Sequence, residues 1–341
     1  MKSETQTAKA VSHTDEPKTA RTLFRSDAMQ RIMAFSALIV LAIGFSIASP
    51  YFRTFDNFVG ILLATAVNGV LGLGVTFIII TSGIDLSVGT VMTFSAVMTG
   101  VFITNWHLPI PIGILGGILA GSLAGFINGT VISRMKIPPF IATLGMLNIA
   151  RGLSLVISDL HPIYFNDTPA FREMAMGSVV GKIIPGFEVP NAVFFMFGAA
   201  IIAHLILSRT VLGRYTYALG SNEEATRLSG VNVAVWKTAV YTLGGFFAGM
   251  GGVLIASRLN SAQPALGFGY ELDAIAAVVI GGTSLSGGEG SILGTIIGAF
   301  IMSTLTNGLR ILSVPQEWQI VVTGAIVVLA VYLDILRRRR K

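Results

Sequence analysis

Long apolar runs alternate with short polar connections along nearly the whole chain. We place these runs at 32–49, 58–80, 88–103, 111–132, 140–157, 193–207, 233–256, 292–309 and 320–336, with a shorter piece at 272–280. Most approach the roughly 20 residues that a helix needs to cross a bilayer. In lipid, helices satisfy their own backbone polar groups, so the pattern predicts an all-α, polytopic membrane protein. We expect about ten transmembrane helices, some of them short or broken around a central path.

Both ends of the chain are polar. Residues 1–30 contain lysines and arginines without an apolar period, and we interpret them as a disordered cytoplasmic tail. The transmembrane domain then covers 31–336, and the basic residues 337–341 form a second cytoplasmic tail. A cleavable signal peptide is the alternative for the first run, since 46–48 loosely fits a cleavage site. The polar leader is longer than a typical n-region, which favours a retained first helix.

The composition agrees with a membrane protein that has almost no soluble part. Of the 341 residues, 53% are hydrophobic and 12% are charged, against about 25% charged residues in soluble domains. The chain has no cysteine, which excludes disulfides and thiolate metal sites. The net charge of +6 comes mostly from the termini and connections, so it does not require a nucleic-acid partner.

The most polar internal stretch is 209–230, which lies between two long apolar runs. Its second half predicts a short helix with Ser221 or Asn222 as the N-cap, because these side chains can accept hydrogen bonds from the first amides. Glu223 and Glu224 favour the positive end of the helix dipole, and Gly230 ends the helix. A short helix outside the membrane is a surface on which a motor protein can act. An ordinary structured loop is the alternative.

Two glycine-rich segments interrupt the apolar pattern, at 81–90 and 281–291. In the first, Asp85 or Ser87 either caps the following helix or belongs to a broken helix that lines a polar path. The second is not a phosphate-binding loop, because no Gly-Lys-Ser/Thr sequence follows it. The two segments share the spacing Gly-x-x-Leu-Ser-x-Gly, at 83–89 and 282–288. Such segments in the two halves of a transporter indicate the permeation path.

Glycines at intervals of four predict close helix packing rather than chemistry. The first ridge lies in the fourth run, and a second begins in the glycine-rich segment. Their members are Gly113, Gly117, Gly121, Gly125 and Gly129, followed by Gly290, Gly294 and Gly298. Without a side chain at these positions, the backbone of a neighbouring helix can approach closely.

The lysines and arginines predict which connections face the cytoplasm. With about ten spans and both termini inside, most of the 23 basic residues fall on inner connections and tails. The basic residues outside are Arg53, Arg172, Lys182, Arg258 and Arg310. The segment 209–230 is then cytoplasmic. Arg151 lies inside the fifth run, in its outer half, where we expect it to reach a head group or the outer vestibule.

Three motifs, in this order, resemble the signature of the membrane permeases of ribose- and galactose-type ATP-binding cassette (ABC) importers. They are Thr81-Ser82-Gly83-Ile84-Asp85-Leu86-Ser87-Val88-Gly89, Ala218-Leu219-Gly220-Ser221-Asn222-Glu223-Glu224-Ala225 ending in Leu228-Ser229-Gly230, and Gly281-Gly282-Thr283-Ser284-Leu285-Ser286-Gly287-Gly288. The resemblance covers residues 35–336, nearly the whole membrane region.

This resemblance implies a monosaccharide permease of the bacterial inner membrane that pairs with itself or with a sister permease among the membrane lipids. It also implies a cytoplasmic ABC ATPase and a periplasmic sugar-binding protein. The loop 209–232 would dock the ATPase through Ser221, Asn222, Glu223, Glu224, Ala225, Arg227, Ser229 and Gly230. The five outer basic residues, Arg172 and Arg258 first, are candidates for docking the binding protein through complementary charge. Anchoring helix ends at head groups is their alternative role.

A neutral, hydroxyl-rich sugar needs hydroxyl and amide groups along its path rather than charges. The candidates are Asn68, Asp85, Ser87, Asn128, Asn148, Ser284, Ser286 and Asn307, with Thr76 and Thr306 beside them. Each of the asparagines and threonines is also explained by a hydrogen bond between helices.

The sequence contains no nucleotide-binding motif, metal-ligand cluster or nucleophile–base pair, so we expect neither covalent chemistry nor a cofactor or metal. The rival class is a proton- or sodium-coupled secondary transporter. It would normally require acidic residues deep in the spans, and only Asp273 is near such a position, with Glu271 beside it at the interface. A passive channel is disfavoured by the predicted helix after Ser221.

Overall fold

The computed structural model describes residues 20–338 and consists almost entirely of helices. A 3₁₀ turn (Pro50–Arg53) follows the first helix, and a π-helical turn (Val101–Asn105) continues the third. The first seven α-helices are α1 (Ala20–Ala48), α2 (Phe55–Ile80), α3 (Val88–Gly100), α4 (Ile110–Arg134), α5 (Pro139–Ile157), α6 (Pro169–Met176) and α7 (Val179–Ile183). The others are α8 (Asn191–Arg209), α9 (Val211–Ser221), α10 (Glu223–Leu228), α11 (Val233–Leu259), α12 (Tyr270–Ile280), α13 (Ile292–Ile311) and α14 (Gln316–Arg338).

The predicted polytopic all-α fold is confirmed. Within residues 20–338, 7 helices are long and apolar enough to cross a membrane: α2, α3 with its π-helical turn, α4, α5, α8, α11 and α13. Shorter apolar stretches lie in α1 (Ile32–Ala48) and α14 (Gln316–Leu329), and α12 has 11 residues. The count of ten spans therefore stays a prediction.

The first helix starts earlier than its apolar run. We expected residues 1–30 to be disordered, but α1 already begins at Ala20. Residues 1–19 lie outside the described part, as do the last three residues of the predicted basic tail 337–341. Phe45 of α1 contacts Gly308 of α13, so the first helix packs against the transmembrane bundle.

The core of the bundle is α2, which is buried at every residue from Gly69 to Ile80. Next to it, the predicted glycine ridge of α4 packs against α11. A Cβ atom on Gly121 would lie 2.6 Å from the Gly245 carbonyl oxygen and 2.8 Å from the Gly249 Cα. On Gly125, a Cβ would lie 2.9 Å from the Gly245 Cα. Both helices need glycine here because their backbones touch.

The second glycine ridge is also confirmed. A Cβ on Gly294 would overlap the carbonyl oxygen of Gly281, and one on Gly298 would overlap that of Ala277. These contacts hold α13 closely against α12. Because α12 is short, this packing gives it a fixed position beside a full-length helix.

The bundle has two distinct ends, which the 27-residue α11 separates by about 40 Å. The loop end is the end at which α11 begins, and it carries α9 and α10. The sheet end is the end at which α11 stops. At the sheet end, β1 (Ile163–Tyr164) and β2 (Ser261–Ala262) pair in antiparallel register. There Ser257 of α11 donates to the carbonyl oxygen of Phe171 in α6 across 2.5 Å.

The chain turns back into the bundle before α12. At the sheet end, Gly100 of α3 lies against Ala262, with 3.4 Å between a Cβ on the glycine and the alanine Cβ. Gly267 lies against Gly89 near the start of the same helix. Positions 89 and 100 of α3 are separated by about 16 Å along the helix axis. The helix α12 therefore starts inside the bundle as a half-length helix, as the interrupted apolar pattern predicted.

Candidate functional site

The short helix α10 forms for the local reasons that its sequence suggested. Asn222 has an extended backbone, and its side-chain oxygen accepts a hydrogen bond from the Ala225 amide across 2.9 Å. Glu223 and Glu224 occupy the first turn. Gly230 has φ +83, which favours glycine and ends the helix. Asn222 is thus the cap, whereas Ser221 is the last residue of α9.

The helix α10 stands exposed at the loop end. Of the residues from 221 to 230, all but Thr226 are exposed, and Leu228 is 80% exposed. Glu224 pairs with Arg227 within the helix. Glu223 accepts from the Lys237 ammonium across 2.6 Å, which ties α10 to the first turns of α11. The result is an anchored helix with a largely free surface.

At the end of α9, immediately before α10, the three motif segments meet. The Ser82 hydroxyl donates to the carbonyl oxygen of Ser286 across 2.9 Å and lies 3.3 Å from that of Gly220. The amide of Gly288 donates to the carbonyl oxygen of Ile80 across 2.9 Å. The Tyr217 hydroxyl of α9 also donates to the carbonyl oxygen of Gly290 across 2.8 Å. The end of α2, the end of α9 and the loop before α13 therefore form one hydrogen-bonded junction.

Two glycines allow the backbones at this junction to touch. A Cβ on Gly220 would overlap the Ile80 carbonyl oxygen and lie 2.6 Å from the Gly288 nitrogen. Gly287 has φ +81 and touches Ser82, a conformation that other residues rarely adopt. A displacement of the end of α9, which continues into α10, must move the neighbouring backbones because no side chain separates them.

Asp85, Ser87 and Asn128 form a buried polar cluster. The Asp85 carboxylate accepts from the Ser87 amide across 2.7 Å and from the Ser87 hydroxyl across 2.6 Å. Asn128 of α4 donates to the same hydroxyl across 3.0 Å. In this connection between α2 and α3, burial raises the pKa of the Asp85 carboxyl, and these hydrogen bonds oppose the rise. Ser87 makes no capping hydrogen bond to α3, so the cluster joins α3 to α4 instead.

The second glycine-rich segment has a similar local turn. The Ser286 amide donates to the Ser284 hydroxyl across 3.2 Å, as the Ser87 amide donates to Asp85. Ser284 is buried, whereas Ser286 is exposed and offers its carbonyl oxygen to Ser82. The shared spacing of the two segments therefore extends to the same hydrogen-bonded turn.

The remaining path candidates do not converge on one place. Asn148 is exposed on α5 and donates to Leu144 of its own helix across 3.1 Å. Asn68 and Asn307 each keep a buried side-chain oxygen without a hydrogen-bond partner in the described part of the chain. The hydroxyls of Thr76 and Thr295 lie 2.5 Å apart and join α2 to α13. Thr306 donates to its own helix at Met302.

Four of the five outer basic candidates are exposed on or next to the sheet end, namely Arg53, Arg172, Lys182 and Arg310. Arg258 differs. It is half-buried, and its guanidinium donates to the Leu63 carbonyl oxygen of α2 across 3.3 Å. This bond gives Arg258 a contact inside the fold, and its choice as a docking residue stays a prediction.

Arg151 has a partner that the sequence did not suggest. Its guanidinium carbon lies 5.3 Å from the ring centre of Phe268, which is within the range of a cation–π contact. Phe268 precedes the half-length helix α12, so the contact joins α5 to the returning segment.

The sequence reasoning also missed the partner of the first glycine ridge. Gly245 and Gly249 of α11 are four residues apart, the same signal that identified the ridge on α4. Among the described residues, no group of three or more histidines, cysteines, aspartates or glutamates could hold a metal ion.

Similar proteins are consistent with this arrangement. A family model described as the branched-chain amino acid transport system / permease component matches residues 57–331. The ribose import permease protein of Bacillus subtilis (strain 168) is 43% identical over 307 residues, which cover 90% of this chain and 93% of the relative. That of Escherichia coli (strain K12) is 40% identical over 301 residues, covering 87% and 91%. The fructose import permease protein of Rhizobium meliloti is 36% identical over 303 residues, covering 87% and 82%.

No solved structure matches the chain. The relatives are transport permease subunits rather than enzymes. Both the family match and the identities extend over most of the chain, including all three motif segments. The chain therefore belongs to this permease family, within its monosaccharide ABC importer permeases, and is a multi-pass membrane protein without enzymatic activity of its own.

Proposed function

We propose that this permease passes a monosaccharide into the cytoplasm through the bacterial inner membrane, driven by a separate ABC ATPase and supplied by a periplasmic sugar-binding protein. Ribose is the first sugar to test, because two of the relatives above are named as ribose import permeases. The alternative substrates are another pentose, a hexose or a polyol. Of these, the hexose is favoured by the third relative, which is named as a fructose import permease.

The observation that supports coupling to an ATPase is the position of α10. The helix is exposed, capped and tied to α11 by the Glu223–Lys237 ion pair. The residues immediately before it touch the end of α2 and the loop before α13. A protein that binds α10 from outside can therefore displace transmembrane helices without touching them. We assign the ATPase-docking role to 221–230 on this ground.

The sidedness follows from the same assignment. If α10 binds a cytoplasmic ATPase, the loop end faces the cytoplasm and the sheet end faces the periplasm. The basic residues of the connections and tails agree with this orientation, which places both termini inside. The second permease copy of the assembled transporter is either another copy of this chain or a sister permease.

The test is reconstitution of the permease in liposomes with a sugar-import ABC ATPase and a sugar-binding protein from the same organism. We expect labelled ribose to accumulate only when all three proteins and ATP are present. Uptake by the permease alone under a proton or sodium gradient would instead support an ion-coupled secondary transporter. Calorimetry of the binding protein against a sugar panel then identifies the sugar.

A further inference from the structure

A polar cleft of about 540 Å³ lies beside α10 at the loop end. One wall is α10 itself with the first residues of α11, and the other is the connection between α4 and α5. The charged residues that line it are Lys136, Glu223, Arg227 and Lys237. A cleft of this size lies within the roughly 300–1,000 Å³ of sites that enclose small ligands, so it can accept a few side chains of a partner.

The charges of the cleft are unbalanced. Lys237, which is only 17% exposed, is already paired with Glu223 across 2.6 Å. Arg227 is paired with Glu224 of α10. Lys136 is exposed and has no ion pair within residues 20–338. A group that enters the cleft therefore meets one cation without a partner, and an anionic group fits it best.

The walls of the cleft hold a fixed geometry. Lys136 has φ +58, an uncommon backbone conformation at the turn between the two helices. Pro138 and Pro139 follow it and start α5. The hydroxyls of Ser133 and Thr238 lie 2.9 Å apart and hold the connection against α11. The cleft is thus preformed between the α4–α5 connection and the segment from α10 to the start of α11.

We propose that this cleft is a second part of the ATPase-docking surface and receives an acidic side chain of the ATPase, which pairs with Lys136. The proposal rests on the proposed function, because α10 forms one wall and any protein in the cleft must also touch α10. It adds a mechanical consequence: the ATPase contacts the α4–α5 connection directly, and not only α10.

The experiment measures binding of the purified ATPase to the purified full-length permease. Lys136→Glu and Lys136→Gln are compared with Arg134→Glu, a matched control that faces a different cavity, beside Leu212 and Phe246. We expect Lys136→Glu to weaken binding about tenfold at low salt and Lys136→Gln to weaken it less, because charge reversal adds repulsion. The difference should shrink at high salt. Unchanged thermal stability shows that the variants are folded.

A photo-crosslinker at position 136 identifies the partner residue on the ATPase. Reversing that acidic residue should restore binding to Lys136→Glu. Equal binding of wild type and Lys136→Glu overturns the proposal, as does capture of lipid alone by the crosslinker. Leu228→Asp on α10 separates the two hypotheses: if it abolishes binding while Lys136→Glu does not, α10 docks the ATPase without the cleft. If neither change affects binding, the assignment of α10 also fails.

Discussion

The amide of Gly288 donates to the carbonyl oxygen of Ile80 across 2.9 Å. This bond joins the loop before α13 to the last residue of α2. The backbone of Gly220 lies directly against both partners. Backbones that touch without intervening side chains move together, because close-packed interiors transmit displacement. The junction therefore suits a site at which force applied to α10 reaches the transmembrane helices.

Replacing Gly220 by alanine tests this junction. The added Cβ would overlap the Ile80 carbonyl oxygen, so we expect the junction to open and ATP hydrolysis to lose its coupling to transport. Sugar uptake and ATPase activity are measured together in liposomes. Gly198→Ala on α8 is the control, because no atom lies within 4 Å of a Cβ there. Normal uptake per ATP in Gly220→Ala contradicts the proposed transmission.

Changes in α10 itself test its docking role. Glu224→Arg places two cations at the Glu224–Arg227 pair, and Gly230→Pro cannot adopt the φ of +83 at that position. We expect both variants to insert normally but to lose ATP hydrolysis that is coupled to transport. The readout is ATPase activity with and without the binding protein. Unchanged stimulation by the binding protein in both variants would remove α10 from the coupling mechanism.

The glycine ridge of α4 should be required for stability. Leucine at Gly121 must push α4 away from Gly245 and Gly249 of α11, and overpacking of this kind costs about 1–3 kcal/mol or more. We expect a lower midpoint of thermal unfolding in detergent. Gly145→Leu on α5 is the control, since a Cβ there meets nothing within 4 Å. Equal midpoints would mean that α4 and α11 do not pack so closely.

The cluster of Asp85, Ser87 and Asn128 should be sensitive to loss of one hydroxyl. Ser87→Ala removes the hydroxyl donor to Asp85, which keeps the bond from the amide of residue 87, and it removes the acceptor for the Asn128 side chain. Leaving buried polar groups unsatisfied costs about 1–3 kcal/mol each. We expect reduced thermal stability, whereas Ser122→Ala on α4 removes only a bond within its own helix and should have a small effect. Similar stability of the two variants contradicts the structural role of the cluster.

Arg172 is the first exposed residue to test for docking of the binding protein. We expect Arg172→Glu to weaken docking at low salt more than at high salt, because complementary charges mainly assist encounter and register. Reversal of its acidic partner should partly restore docking. The same change at Arg53, Lys182 and Arg310 completes the set. Unaffected docking in all four variants would show that these residues only anchor the fold at the membrane surface.

The sequence alone determined the features that depend on residues close together along the chain. The apolar runs predicted a polytopic helical protein, and the cap and stop residues predicted α10 almost to its ends, because capping and the helix dipole act within one turn. The glycine spacing on α4 and α13 likewise predicted close packing. Three short motifs in order were enough to indicate the permease family.

Tertiary structure decided which distant segments meet. Ser82 and Ser286 are separated by 204 positions, and no local pattern states that they share a junction with Gly220. The same holds for Arg258, whose side chain turns inward to the backbone of α2, and for Lys136, which lies across a cleft from α10. In a membrane these contacts depend on how whole helices pack side by side. Chain periodicity identifies the apolar face of a helix but does not specify its neighbour.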